Sequence, residues 1–110
     1  MEEFIKGDVV IISFPFSDFT KSKRRPALVI SKSEFDDYLL CQITSKKFES
    51  DFILPLTSKD FMEGELPLDS YIRVSKLFTV SNELVKQKAG HLKKELMDKV
   101  ISRTIDFIKK

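Results

Sequence analysis

The chain has 110 residues, 42% hydrophobic and 33% charged, so it is expected to form one domain over residues 1–110, with too much apolar mass for disorder. Nineteen Lys and Arg against seventeen Asp and Glu leave a net charge of +2, so bulk charge does not mark a nucleic-acid binder. A single cysteine, Cys41, and a single histidine, His91, exclude an internal disulfide and a Cys/His metal cage.

No apolar run approaches the roughly 20 residues of a bilayer-spanning helix, and the opening MEEFIKGD lacks a basic stretch followed by an apolar one, so the expected location is the cytoplasm. After Gly7 and Asp8, residues 9–14 are β-branched or aromatic apart from Ser13 and predict a first strand buried on both faces. Pro15 ends it, and residues 16–23 read as a polar loop. A second strand over 26–31 begins with Pro26, which lacks a backbone donor and belongs at a strand start or edge. An acidic connection over 34–37 leads to a third strand, 38–44, and a fourth follows at 51–57. Residues 58–69, with Gly64, Pro67 and an excess of acids, predict an irregular surface connection. Two short strand pieces, 71–74 and 77–80, come next. The helix is last: Met97, Val100, Ile101, Thr104, Ile105 and Ile108 recur at spacings of three and four and form one apolar face. Strands followed by one helix, without alternating β-α-β units, predict a mainly β, small α+β fold or a curled barrel with a capping helix.

Charge is uneven along this plan. Between residues 20 and 33 lie Lys21, Lys23, Arg24, Arg25 and Lys32 with no acid, where cations and hydroxyls can converge on an anion and guanidinium groups suit phosphate. A solvated basic loop is the alternative. A second polar cluster, Gln42, Thr44, Ser45, Lys46 and Lys47, ends the third strand. It also reads as a plain turn in which Thr44 and Ser45 bond the local backbone. Phe16 and Phe19 can stack on bases or anchor the loop. His91 is better explained by capping or packing at the approach to the helix than by acid–base work, and Cys41 by burial in a strand. Asp60, Glu63, Glu65 and Asp69 lack a ligand spacing and read as solvated acids.

Several fragments occur in one order: Gly7-Asp8-Val9-Val10, Pro15-Phe16, Arg25-Pro26-Ala27-Leu28-Val29-Ile30-Ser31, Gln42-Ile43-Thr44-Ser45, residues 73–80, and Gly90-His91-Leu92 before the helix. Together they cover nearly the whole chain, and in them it resembles the PemK/MazF family of toxins, on the PemK-like branch by its Pro15-Phe16 and Leu77-Phe78-Thr79. The resemblance implies a small SH3-like barrel of the CcdB/PemK/MazF type with a C-terminal helix, a homodimer, and cleavage of single-stranded RNA without metal or other cofactor. It implies catalytic roles for Arg25, adjoining the proline of the second strand, and Thr44, ending the third. Lys21, Lys23, Arg24, Phe19, Gln42, Ser45 and Lys46 are the expected RNA-binding residues. The loop over 17–23 departs from the family by lacking a glycine.

The implied partners are single-stranded RNA and a cognate antitoxin. RNA carries its own nucleophile, the 2′-OH, so a protein need only align it, stabilise the charge developing on phosphorus and assist the leaving oxygen. Arg25 suits the last two tasks and Thr44 can donate to a non-bridging oxygen, whereas an arginine stays protonated and does not supply the base. Two rival readings share the fold: a toxin that binds a protein such as DNA gyrase, and a catalytically weak RNA-binding module.

Overall fold

The computed structural model describes residues 3–15 and 22–110. Its strands are β1 (Asp8–Pro15), β2 (Ser22–Lys32), β3 (Asp37–Thr44), β4 (Ile53–Leu56), β5 (Phe61–Gly64), β6 (Ser70–Ser81) and β7 (Val85–Leu92), and one helix, α1 (Lys94–Lys109), closes the chain. They form one seven-stranded sheet in the order β4-β6-β3-β2-β1-β7-β5. Every pairing is antiparallel. Register shifts interrupt four of the ladders, and such bulges bend strands and curl the sheet into a half-barrel, in keeping with the expected curled barrel with a capping helix.

The central strands are apolar on both sides because both sides of the sheet are covered there. Val9, Leu28, Cys41, Ile43, Ile72 and Val74 face Leu96, Met97 and Val100 of α1 in one cluster. Val10, Ile12, Ala27, Val29 and Leu40 pack on the other side with Phe4, Tyr38 and Val80. Tyr38 keeps its hydroxyl satisfied in that apolar setting by accepting a 3.0 Å hydrogen bond from the backbone N–H of Phe4. This second cluster covers only part of its face. The strand ends around Gln42 and Thr44 are left open to solvent.

Several sequence expectations need correction. The second strand starts at Ser22, not Pro26, so Arg24 and Arg25 lie within a strand paired to β1. Residues 58–69 are not irregular throughout: a 3-10 turn, Ser58–Asp60, leads into β5. The two pieces expected over 71–80 are one strand, β6, and the polar Ser75 and Lys76 fall in its bulge, between the pairs Cys41–Leu77 and Gln42–Arg73. A further strand, β7, was not predicted; its Lys86, Gln87 and Lys88 are exposed and show no alternation. The helix buries Leu96, Met97, Val100 and Thr104, but Ile105 and Ile108 remain 45% and 66% exposed, and its last turns instead set Phe107 against Phe52, with ring centroids 5.3 Å apart.

Candidate active site

The site begins with a backbone defect that proline introduces. Pairing of β2 with β3 runs from Lys32–Tyr38 to Ala27–Gln42 and goes no further. Val29 turns its carbonyl to Gly7 on the β1 side, so strand alternation directs the nitrogen of Pro26 towards β3. Proline has no N–H to donate, and the ladder stops there. β1 still holds β2 as far as Pro15–Ser22. Residues 24–26 are therefore fixed on one side and parted from β3 on the other.

A cavity of about 330 Å³ occupies the gap, lined by Arg24, Arg25 and Pro26 from β2 and by Ile43, Thr44 and Ser45 from the end of β3. Leu66, Pro67, Leu68 and Ser70 close it from the segment that enters β6, and Ile11 adds a wall from β1. Arg24 and Arg25 are exposed and Thr44 is half-buried. No acid lines the cavity among the described residues, so its charge is of one sign and suits an anion. Thr44 Oγ1 accepts the backbone N–H of Lys46 at 3.1 Å. That contact makes the turn foreseen from sequence and orients the hydroxyl, whose own proton is left to donate.

The cavity brings together Arg24, Arg25, Thr44 and Ser45. Gln42 and Lys46 do not line it. Gln42 Oε1 instead accepts from Arg73 Nη1 at 3.2 Å, and the ammonium of Lys46 lies 5.3 Å from the centroid of the Phe48 ring. Lys21 and Phe19 lie outside the described residues, as does Phe16. Lys23 is on β2 opposite Phe14, but its side chain is also outside the described part. The sequence reading missed Arg73, whose guanidinium carbon sits 4.6 Å from the Phe48 centroid and whose Nε is buried without a partner among the described residues. It also missed Tyr71 and the apolar wall over 66–68. Alternation of Tyr71 and Arg73 with buried Ile72 and Val74 was the available signal for a polar strand face.

The other titratable groups have structural explanations. Asp8, 2% exposed, accepts the backbone N–H of Ile5 at 2.9 Å through Oδ2 and meets His91 Nδ1 at 2.7 Å through Oδ1. This pair ties β1 to β7 and accounts for His91 by packing. Lys88 joins it at 3.6 Å from Asp8; burial opposes its charge, but the nearby carboxylates of Asp8 and Glu63 outweigh this and raise its pKa. Burial pushes the Cys41 thiol up to about 12. Among the described residues no three His, Cys, Asp or Glu side chains converge as a metal site. No helix among them is long and apolar enough to cross a membrane.

The sequence profile of PemK-like, MazF-like toxins of type II toxin–antitoxin systems matches residues 5–108. No curated protein sequence matches the chain. Among solved structures, a mycobacterial endoribonuclease in complex with its cognate antitoxin superposes with a TM-score of 0.78 at 14% identity, covering 97% of this chain and 96% of that one. MazF in a MazE–MazF complex from Deinococcus radiodurans gives 0.80 at 15% identity over 99% and 98%. MazF from the same organism, crystallised in another form, gives 0.76 at 16% over the full length of both. At these identities the superpositions establish a common fold.

Proposed function

The chain belongs to the PemK-like, MazF-like toxins of type II toxin–antitoxin systems, and from that premise we propose that it is an endoribonuclease that cuts single-stranded mRNA and is neutralised by a cognate antitoxin. The observation that carries this reading is the cleft beside Pro26, where Arg24, Arg25, Thr44 and Ser45 line a cavity with no acid among its described lining residues. Its cations and hydroxyls suit a phosphodiester, and its apolar side at Leu66 and Leu68 suits the bases attached to one.

In the proposed reaction the 2′-OH attacks the adjacent phosphorus. A P–O2′ bond forms, the P–O5′ bond breaks, the proton leaves O2′ and the departing O5′ gains one. Arg25 stabilises the charge that develops on the non-bridging oxygens and supports the leaving oxygen, and the Thr44 hydroxyl donates to a non-bridging oxygen. Arg24, Lys23, Lys21, Ser45 and Lys46 hold neighbouring phosphates, and Phe19 stacks on a base. No step is assigned to a metal. The enzyme acts as a homodimer in the cytoplasm, where its mRNA substrate is found. The mycobacterial endoribonuclease bound to its antitoxin supports the assignment of a protein inhibitor.

Purified protein incubated with a broad set of RNA sequences in EDTA tests the proposal. The expected products end in a 2′,3′-cyclic phosphate and a 5′-OH, and a 2′-deoxy nucleotide at the cut position blocks cleavage there. Intact RNA would favour the protein-binding toxin or the weak RNA-binding module. Cleavage of the 2′-deoxy substrate would make water the nucleophile.

A further inference from the structure

The solvent-facing side of the sheet continues past the cleft across β3, β6 and β4. Thr44 pairs with Tyr71, which pairs with Pro55; one row further, Gln42 pairs with Arg73, which pairs with Ile53. Paired residues project on the same side of a sheet, so these make two rows on one face. The intervening Ile43, Ile72 and Leu54 point the other way and are buried. Adjacent strands lie about 4.8 Å apart, which sets Tyr71 one strand beyond Thr44.

A second groove, about 360 Å³ in volume, opens at this point, with Tyr71, Ile53 and Pro55 lining it from the sheet, Phe48 beside them, and the exposed Lys47 and Glu49 at its margin. The volume falls within the roughly 300–1,000 Å³ of pockets that hold small flat ligands. Phe48 is already engaged by two cations, with Arg73 at 4.6 Å and Lys46 at 5.3 Å from its centroid. The hydrogen bond from Arg73 to Gln42 anchors this group to β3. Phe48 thus forms a fixed wall, and Tyr71 is the aromatic ring of the sheet row that lies next to Thr44. Lys46, Lys47 and Arg73 outnumber Glu49, so the surroundings favour a polyanion.

We propose that this groove is a nucleobase subsite, in which a base of the RNA strand whose scissile phosphate lies at Arg25 and Thr44 stacks on Tyr71 while Lys47 meets a flanking phosphate. The inference rests on the endoribonuclease reading and adds to it the residue that seats a base. The register of Tyr71 beside Thr44, the aromatic and apolar lining, and the cations Lys46 and Arg73 held on Phe48 next to Lys47 select RNA over a protein segment as the occupant.

The test compares wild type, Tyr71→Ala, Tyr71→Phe and Tyr71→Leu in cleavage of single-stranded RNA, and in binding of the same oligonucleotides made uncleavable by 2′-deoxy substitution and carrying 2-aminopurine at successive positions. Tyr71→Ala and Tyr71→Leu should raise KM by roughly 5- to 150-fold, the loss of one base–aromatic stack, and leave kcat within about threefold. Tyr71→Phe should keep the wild-type KM. Quenching of 2-aminopurine at one position should persist in wild type and Tyr71→Phe and vanish in Tyr71→Leu, which retains apolar bulk on β6 if the alanine variant fails to fold. An unchanged KM in Tyr71→Leu, with wild type cutting RNA, overturns the subsite and leaves the nuclease standing. Loss of antitoxin affinity with unchanged RNA parameters also overturns it and assigns the groove to the antitoxin. If wild type cuts no RNA, the nuclease reading falls; Tyr71-dependent quenching would then still support the subsite, and its absence would remove both.

Discussion

Asp8 shows what one buried carboxylate does for this fold: it satisfies the backbone N–H of Ile5 and contacts His91, joining the first strand to the last. Asp8→Ala should lower stability by about 2–4 kcal/mol, because charge-assisted hydrogen bonds are lost and their partners stay partly buried. An unchanged urea midpoint would contradict this. Cys41 makes a prediction of opposite character. Its thiol is pushed up to about 12 by burial, against about 8.5 in an unfolded chain. Between those values the native state keeps a proton that the unfolded state releases, so stability falls as pH rises, by at most about 1.4 kcal/mol per unit. Urea unfolding from pH 8 to 10 should show this decline in wild type and lose it in Cys41→Ala. At neutral pH the native thiol should resist alkylation, since the thiolate is the reactive form.

At the scale of elements, Pro26 decides where β2 and β3 separate, and so where the cleft lies. Pro26→Val restores an N–H directed at β3. The added hydrogen bond, about 1 kcal/mol, is offset by the greater freedom of the unfolded chain, about 0.4–1 kcal/mol, so stability should change little. Extension of the ladder should narrow the cleft and lower RNA cleavage by about tenfold or more through misalignment of Arg25 and Thr44; full activity in this variant would argue against a proline-made cleft. The first, third and fourth strands, and the second from Pro26 onward, were legible because runs of Val, Ile and Leu stand between turn residues. β7 was not, because Lys86, Gln87 and Lys88 carry no period, and its place is set by neighbours instead: a Cβ on Gly90 would lie 2.6 Å from the carbonyl oxygen of Glu63 on β5. β5 was hidden for a similar reason, with only Phe61 of its four residues buried. Arg25 and Thr44 were legible through family resemblance, whereas Arg73 and Tyr71 acquire meaning only when β6 is set beside β3, a pairing that chain order does not specify.

For the whole molecule, a small curled sheet with one helix leaves apolar side chains on the surface: Ile105 and Ile108 at the end of α1, Met62 on β5, and Phe35, 89% exposed, in the β2–β3 turn. A symmetric dimer would bury part of this surface, so sedimentation at micromolar concentration should show a dimer, and a monomer alone would contradict it. Within the cleft, labour is divided among the cations and the hydroxyl. Arg25 and Thr44 are proposed to act on charge that develops during the reaction, while Arg24 holds phosphate in ground and transition states alike. The most direct measurement is the single-turnover rate at saturating RNA. Arg25→Ala and Thr44→Ala should lose about a hundredfold or more, and Arg24→Ala should keep its rate while binding more weakly and with a salt dependence shallower by roughly 0.7. Abolished cleavage in Arg24→Ala beside full activity in Arg25→Ala and Thr44→Ala would contradict the account.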